Sequence, residues 1–230
     1  MTLKPDGIVS GDTPRHAAGG MIMRFNKEML KLYAITDRAC NTHLSLYDQV
    51  EQALQGGVTI VQLREKELDE DAFIDEAKKL KKLCSRYNVP LIINDDLNVA
   101  LKSGADGVHV GINDISVRDI RQKTSSDFIV GATAKTVEQA QSAMQMGADY
   151  LGVGAVFPSP TKPDAVRITK TQFNEIASSV NIPSVAIGGI TLENAAELRD
   201  TSACGIAVVS ALFSANDITD AARQFRKILP

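Results

Sequence analysis

The sequence predicts one α/β domain, a single (β/α)8 TIM barrel of near-minimal length. Three observations carry that expectation. From Leu30 onward, short runs rich in β-branched residues alternate with longer amphipathic stretches, which is how strands and helices succeed one another around a parallel sheet. Eight such runs can be marked, at 31–36, 58–63, 90–94, 106–110, 128–132, 149–153, 183–187 and 204–209. The 230 residues support one sizeable hydrophobic core and are too few for two ordinary domains. An open doubly wound sheet is the alternative, but it normally carries a Gly-rich turn after its first strand. Thr36-Asp37-Arg38 stands there and has no glycine.

Residues 1–28 hold Gly11, Pro14, Gly19 and Gly20 without periodic apolar positions. They are set apart as a flexible leader, or as a stretch before an alternative start near Met21 or Met23, which leaves 29–230 as the barrel domain. After the second strand, Phe73, Ala77, Leu80, Cys84 and Tyr87 recur at helical spacing over 71–87, with Lys78, Lys79, Lys81 and Lys82 as the expected solvated face. Later helix starts are marked by Ser116 with Asp119, Thr136 with Gln139 and Thr169 with Gln172; the last two pairs fit a reciprocal capping box. An internal repeat supports the register, because GADGVHVG at 104–111 recurs as GADYLGVG at 147–154. Two βα units of about 20 residues each account for that offset.

Composition narrows the class further. Apolar residues make up 44% and charged residues 23%, within the globular range, with no Trp. A net charge of −3 supplies no general field for nucleic acid or an anionic membrane. The expected partners are therefore small-molecule substrates, with no nucleic acid and no membrane, and a homo-oligomer is left open. Cys40, Cys84 and Cys204 form no CxxC pair and are read as small core residues in a reducing compartment. No apolar run approaches the roughly 18 residues of a membrane span, and 1–28 lack a secretory apolar core, so a cytoplasmic location is expected.

In such a barrel the chemistry collects at the C-terminal ends of the strands. The second strand ends in Gln62, Arg64 and Lys66, an amide and two cations suited to a phosphate chain, with a surface salt-bridge cluster through Glu65 and Glu67 as the structural alternative. Asn94-Asp95 ends the third strand, and Asp114 follows the fourth. Two carboxylates at adjacent strand ends suit Mg2+, which takes one or two carboxylates together with water and phosphate oxygens. Helix capping is their structural alternative. Phe157 to Pro163 form a loop stiffened by three prolines that carries Thr161 and Lys162. Gly188-Gly189 and Val209-Ser210 follow the seventh and eighth strands, where barrels of this kind bind phosphate on backbone amides. No Ser-His-Asp set is evident: His16 lies in the leader, His43 in a loop, and His109 in a strand as a structural histidine.

Seven segments in order resemble the thiamine-phosphate synthase family: LYAITDR at 32–38, GVTIVQLREK at 57–66, PLIIND at 90–95, GADGVHVG at 104–111, GVGAVFP at 152–158, TKPD at 161–164 and AIGGI at 186–190. The resemblance implies a Mg2+-assisted transfer of a hydroxymethylpyrimidine from its pyrophosphate to the ring nitrogen of a thiazole phosphate, or of its carboxylated form. It implies that Gln62, Arg64, Lys66 and Asn94 hold the pyrophosphate, that Asp95 and Asp114 hold Mg2+, and that Lys162 reaches the phosphates. Thr161, Gly188, Val209 and Ser210, with neighbouring Gly189, would seat the thiazole phosphate, and Thr133 would offer a hydroxyl to the pyrimidine. The chain departs from the family's pattern at Ile112, where Gln is usual, and at Lys135, where His is usual. Two alternatives are weighed: a thiazole tautomerase of the same fold, and a non-catalytic sensor of thiazole phosphate or thiamine phosphate.

Overall fold

The computed structural model describes residues 24–41, 43–158 and 167–228. Eight parallel strands close on themselves in chain order. They are β1 (Leu32–Ile35), β2 (Ile60–Leu63), β3 (Leu91–Asn94), β4 (Gly107–Val110), β5 (Ile129–Ala134), β6 (Tyr150–Gly154), β7 (Ser184–Ile187) and β8 (Gly205–Val208). Leu32 pairs with Ile206 and Ala34 with Val208, so β1 meets β8 and an open sheet is excluded. β5 and β6 run one or two residues past the expected ends because Ala134 pairs with Val153 and Gly154 with Ile187.

The first six strands are followed by α1 (Leu46–Gln55), α2 (Glu70–Arg86), α3 (Leu97–Ser103), α4 (Val117–Arg121), α5 (Val137–Gln145) and α6 (Lys170–Ser178). A 3-10 turn, Ala195–Leu198, follows β7. After β8 comes a short extra helix, α7 (Ser210–Phe213), and then α8 (Ile218–Ile228).

Alternation along each strand divides the core in two. Tyr33, Ile35, Ile60, Ile92, Ile129, Tyr150, Val185 and Ala207 fill the barrel with Leu30 beneath them. Leu32, Ala34, Val61, Leu63, Ile93 and Val108 face outward into the helices. Phe25, inside the stretch expected as leader, stacks on Tyr150 with ring centroids 5.7 Å apart. Asn26 caps the 3-10 turn Lys27–Leu30 that follows. Phe25 is therefore packed on the barrel, while Arg24, Asn26, Lys27 and Glu28 around it are exposed. One isolated aromatic among polar residues leaves no period to read, and positions 1–23 lie outside the described residues.

The internal repeat proves to be a structural clamp. Asp106, just before β4, accepts the Lys81 ammonium at 2.7 Å and the Leu91 N–H at 2.8 Å. Its counterpart Asp149, just before β6, accepts the Arg121 guanidinium at 2.6 Å and the Val130 N–H at 2.7 Å. Each aspartate thus ties a neighbouring strand to a helix. Lys81 is consequently not on the solvated face expected for it, whereas Lys78, Lys79 and Lys82 are exposed.

Ser116, Thr136 and Thr169 each accept the amide three residues on. Only Thr169 with Gln172 closes the full box. Gln139 bonds instead to the Lys135 N–H at 2.8 Å, one residue before the cap. All three cysteines are free, and only Cys84 is fully buried; Cys40 and Cys204 lie nearer the surface than a core reading expects. Among the described residues no helix is long and apolar enough to cross a membrane.

Asp149→Ala leaves a strand amide and the Arg121 guanidinium without their partner, and is expected to destabilise the fold by about 3 kcal/mol. Lys78→Ala should stay within about 0.5 kcal/mol. Urea denaturation of the two variants measures the contrast.

Candidate active site

The end of β2 is organised from β1. Thr36 Oγ1 accepts the Arg64 N–H at 3.0 Å, fixing where that arginine leaves the strand. Arg38 grips Glu65 through two bonds, 2.8 and 3.3 Å. The Glu65 side chain is only 4% exposed and is committed to that pair. Among the described residues the carboxylate within ion-pair reach of Arg64 is Asp37, at 3.8 Å, and Lys66 is exposed without an ion pair. The cluster through Glu65 and Glu67 therefore does not engage Arg64 or Lys66.

The carboxylates at β3 and β4 are likewise not the helix caps that were their alternative. Asp96 caps α3 and Ser116 caps α4. Asp95 sits in the left-handed region at φ 64°, which costs a non-glycine residue on the order of 1–3 kcal/mol. Its N–H donates to the His109 carbonyl at 2.8 Å, and Asn94 Nδ2 donates to its carboxylate. Asp114 accepts the Gly111 N–H at 2.7 Å, which folds the β4 loop back toward Asp95. Although Asp95 opens to solvent at the mouth, its carboxyl is raised from 3.8 to about 6. Partial burial is the largest cause, followed by the hydrogen bond and the negative charge of Asp114, while Asn94 and Arg64 pull the other way.

The floor of the mouth is a polar layer within the barrel. Gln62 Nε2 donates to the Tyr33 hydroxyl at 2.7 Å, and Tyr33 and Tyr150 join hydroxyl to hydroxyl at 2.7 Å. His109 Nδ1 lies 3.2 Å from the Tyr150 hydroxyl, and its Nε2 lies 3.1 Å from Thr133 Oγ1. A Cβ at Gly131 would overlap both Tyr150 and His109, so that glycine makes the room these two rings need. Burial pushes His109 down to about 4, leaving it neutral, as a structural histidine is expected to be.

Gly188 and Gly189, at φ 101° and 64°, turn the chain after β7. A Cβ on either would strike the segment leaving β6, at Ala155 or at Phe157 and Pro158. Phe157 N–H also donates to Gly188 O at 3.0 Å, so these glycines are required by the protein's own packing. Asn194 holds the turn by donating to Gly189 O at 2.9 Å. Val209 and Ser210 lead into α7, and Ser210 is partly exposed.

The structure thus gathers Gln62, Arg64, Lys66, Asn94, Asp95 and Asp114 at neighbouring strand ends, with Thr133 above the floor and the 188–189 and 209–210 turns on adjoining strands. Thr161 and Lys162 lie outside the described residues. Sequence reasoning missed Tyr33, Tyr150 and the Arg38–Glu65 pair; inward-facing glycines such as Gly131 were the available hint of large side chains beside them.

A closed barrel with acidic and cationic strand ends, and glycine turns followed by a short extra helix, defines a (β/α)8 enzyme built for phosphorylated small molecules. The family model for thiamine monophosphate synthase matches residues 32–212. Thiamine-phosphate synthase of Clostridium acetobutylicum is 45% identical over 193 residues, 84% of this chain and 92% of that protein. Thiamine-phosphate synthase 2 of Streptococcus pneumoniae is 43% identical over 204 residues, 89% and 97% of the two chains. The solved thiamine phosphate pyrophosphorylase from Pyrococcus furiosus superposes with a TM-score of 0.81 at 38% identity, covering 88% of this chain and 96% of that one. The chain belongs to the thiamine-phosphate synthase family, and its activity is that of a transferase making thiamine phosphate.

Because the folded state holds the Asp95 proton more tightly than the unfolded chain, the stability this group contributes is present below about 4 and lost as pH rises through about 6. In the metal-free protein, Asp114→Asn should bring the Asp95 carboxyl down from about 6 without restoring 3.8, since burial remains. Carboxyl NMR titration of both proteins checks the direction.

Proposed function

We propose that the β2–β4 end of the mouth binds hydroxymethylpyrimidine pyrophosphate with Mg2+, and that the β7 and β8 turns bind thiazole phosphate or its carboxylated form. The observation that carries this reading is Asp95: it occupies an unfavourable backbone region, is relieved of capping by Asp96, and is raised to about 6 by partial burial and then by the hydrogen bond and charge of Asp114. Two carboxylates whose repulsion the protein leaves standing are suited to a hard dication. Among the described residues no group of three or more His, Cys, Asp or Glu side chains gathers to hold a metal. The pair therefore fits an ion that completes its shell with water and phosphate oxygens, as Mg2+ does.

In this reading Arg64, Lys66 and Asn94 orient the pyrophosphate, Gln62, 2% exposed and bonded to Tyr33, holds the floor beneath it, and Lys162, from the loop after β6, reaches the phosphates. When bound at Asp95 and Asp114, Mg2+ supplies neutralisation of the charge that builds on the departing pyrophosphate. Gly188, Gly189, Val209 and Ser210 offer backbone amides and a hydroxyl to the thiazole phosphate, and Thr161 belongs to the same set of ligands. Thr133 offers its hydroxyl to the pyrimidine. The methylene carbon loses its bond to pyrophosphate oxygen and gains one to the thiazole nitrogen, so no protein nucleophile is needed. Holding both rings in line supplies most of the acceleration, with effective molarities of about 10^5 M and above in well-aligned cases. The free cysteines support a reducing, cytosolic setting.

Mixing the protein with both substrates and Mg2+ should release pyrophosphate, and omitting any one of the three should stop it. Binding of thiazole phosphate without release would sink this reading. Asp95→Asn should lower kcat/KM by at least about 10^2-fold while the circular dichroism spectrum is retained. Ser210→Ala should raise KM for thiazole phosphate about tenfold and leave that for the pyrimidine substrate unchanged, which initial-rate kinetics in each substrate would measure.

A further inference from the structure

We propose that Gln62, Tyr33, Tyr150, His109 and Thr133 form a hydrogen-bond wire of fixed polarity, which holds His109 as its Nε2–H tautomer and makes the Thr133 hydroxyl a donor toward the bound heterocycle. The argument is a count of protons. Gln62 presents its amide nitrogen to Tyr33 at 2.7 Å, and that nitrogen only donates. The Tyr33 oxygen therefore accepts. Tyr33 is 1% exposed, and the acceptor within reach of its own proton among the described residues is the Tyr150 oxygen at 2.7 Å. Tyr150 is 0% exposed and, having accepted from Tyr33, has one place left for its proton: His109 Nδ1 at 3.2 Å. Nδ1 is then unprotonated, and a neutral imidazole must carry its hydrogen on Nε2. That N–H donates to Thr133 Oγ1 at 3.1 Å. Thr133, partly exposed above the floor, has its own proton free for a ligand acceptor.

The reverse polarity requires Gln62 to turn its carbonyl to Tyr33, after which every donor in the wire runs backward and Thr133 must spend its proton on His109. Leaving a buried hydroxyl proton unbonded would be the remaining escape, and it is disfavoured in a site this enclosed. Tyr33, Tyr150 and His109 are thus positioning residues that act through Thr133. That the acceptor is the pyrimidine rests on the function proposed above; the polarity of the wire does not.

Long-range proton–nitrogen NMR of the full chain with labelled histidine tests it, taking as His109 the resonances lost in His109→Gln. The expected result at neutral pH is an unprotonated Nδ1 and a protonated Nε2. The Nδ1–H tautomer, or an imidazolium, would overturn the wire. Tyr150→Phe removes the donor to Nδ1 and should shift His109 toward the other tautomer, whereas Tyr33→Phe keeps that donor and should leave the tautomer in place. A purely structural role would treat the two variants alike, and an equal response would overturn the proposal. Tyr150→Phe should also raise KM for the pyrimidine pyrophosphate about tenfold, the loss of one hydrogen bond to a ligand, with KM for thiazole phosphate unchanged. An unchanged pyrimidine KM alongside a shifted tautomer overturns the ligand half alone, so the two readings fail separately.

Discussion

Two tyrosine hydroxyls buried inside an eight-stranded barrel must find partners, and much of the site follows from where they find them. The barrel interior is filled by side chains, and an apolar filling of isoleucine and valine would have met that need. Tyr33 and Tyr150 meet it with polar tips instead. Each hydroxyl unpaired in that interior would cost about 1–3 kcal/mol. The cheapest partners available are one another, Gln62 on β2 and His109 on β4. Packing the core and setting the floor of the site are therefore one operation. Gly131 belongs to the same solution, since any Cβ there would push Tyr150 and His109 out of bonding distance.

Above that floor the logic reverses, and the protein leaves charges unsatisfied. Lys81 with Asp106 and Arg121 with Asp149 show that this chain pairs its structural charges tightly, at 2.7 and 2.6 Å. Arg38 and Glu65 do the same at the mouth. Asp95 and Asp114 are set like against like, and Arg64 has only a 3.8 Å approach to Asp37. Above about pH 6 the metal-free fold bears a penalty for ionised Asp95, first from its partial burial and then from its closeness to Asp114. In the function proposed above, a bound cation would remove it, and part of the binding free energy would then be relief of a repulsion already present between the loops after β3 and β4.

How far the sequence was legible follows from the length scale of each feature. The strands rest on short apolar runs rich in β-branched residues and the helices on a 3.6-residue period and their caps, all of them local, and the eight strands fell within a residue or two of where they were expected. Parallel pairing in chain order then brought Gln62, Arg64, Asn94, Asp95 and Asp114 to adjoining strand ends without further information. The Tyr33–Tyr150 bond spans 117 residues and crosses the barrel. Nothing local marks it, because alternation says that both rings point inward but not how high each reaches. Lys81 was misread for a related reason: its partner Asp106 sits 25 residues on, and a lysine among lysines looks like a solvated face. Capping stayed open as the alternative role of Asp95 because the residue stands at a helix start; its left-handed turn and the cap made by Asp96 are visible only in three dimensions.

With a net charge of −3, the chain has no general attraction for anions, so the substrates proposed above would need a local field at the mouth. The two departures from the family's pattern bear on that local field. Ile112 is 48% exposed in the β4 loop, yet the loop is pinned by Gly111 and Asp114 rather than by residue 112. Its side chain can therefore lose polarity without moving the carboxylate pair. Lys135 follows the last residue of β5, two positions beyond Thr133 and so on the same side by alternation, with its N–H fixed by Gln139. A cation there adds positive potential on the side of the mouth away from Arg64 and Lys66, where an imidazole would be mostly neutral at pH 7. In both loops the bonds that hold the chain run through backbone amides, of Gly111 and of Lys135, so neither the Ile112 nor the Lys135 side chain is needed to shape them.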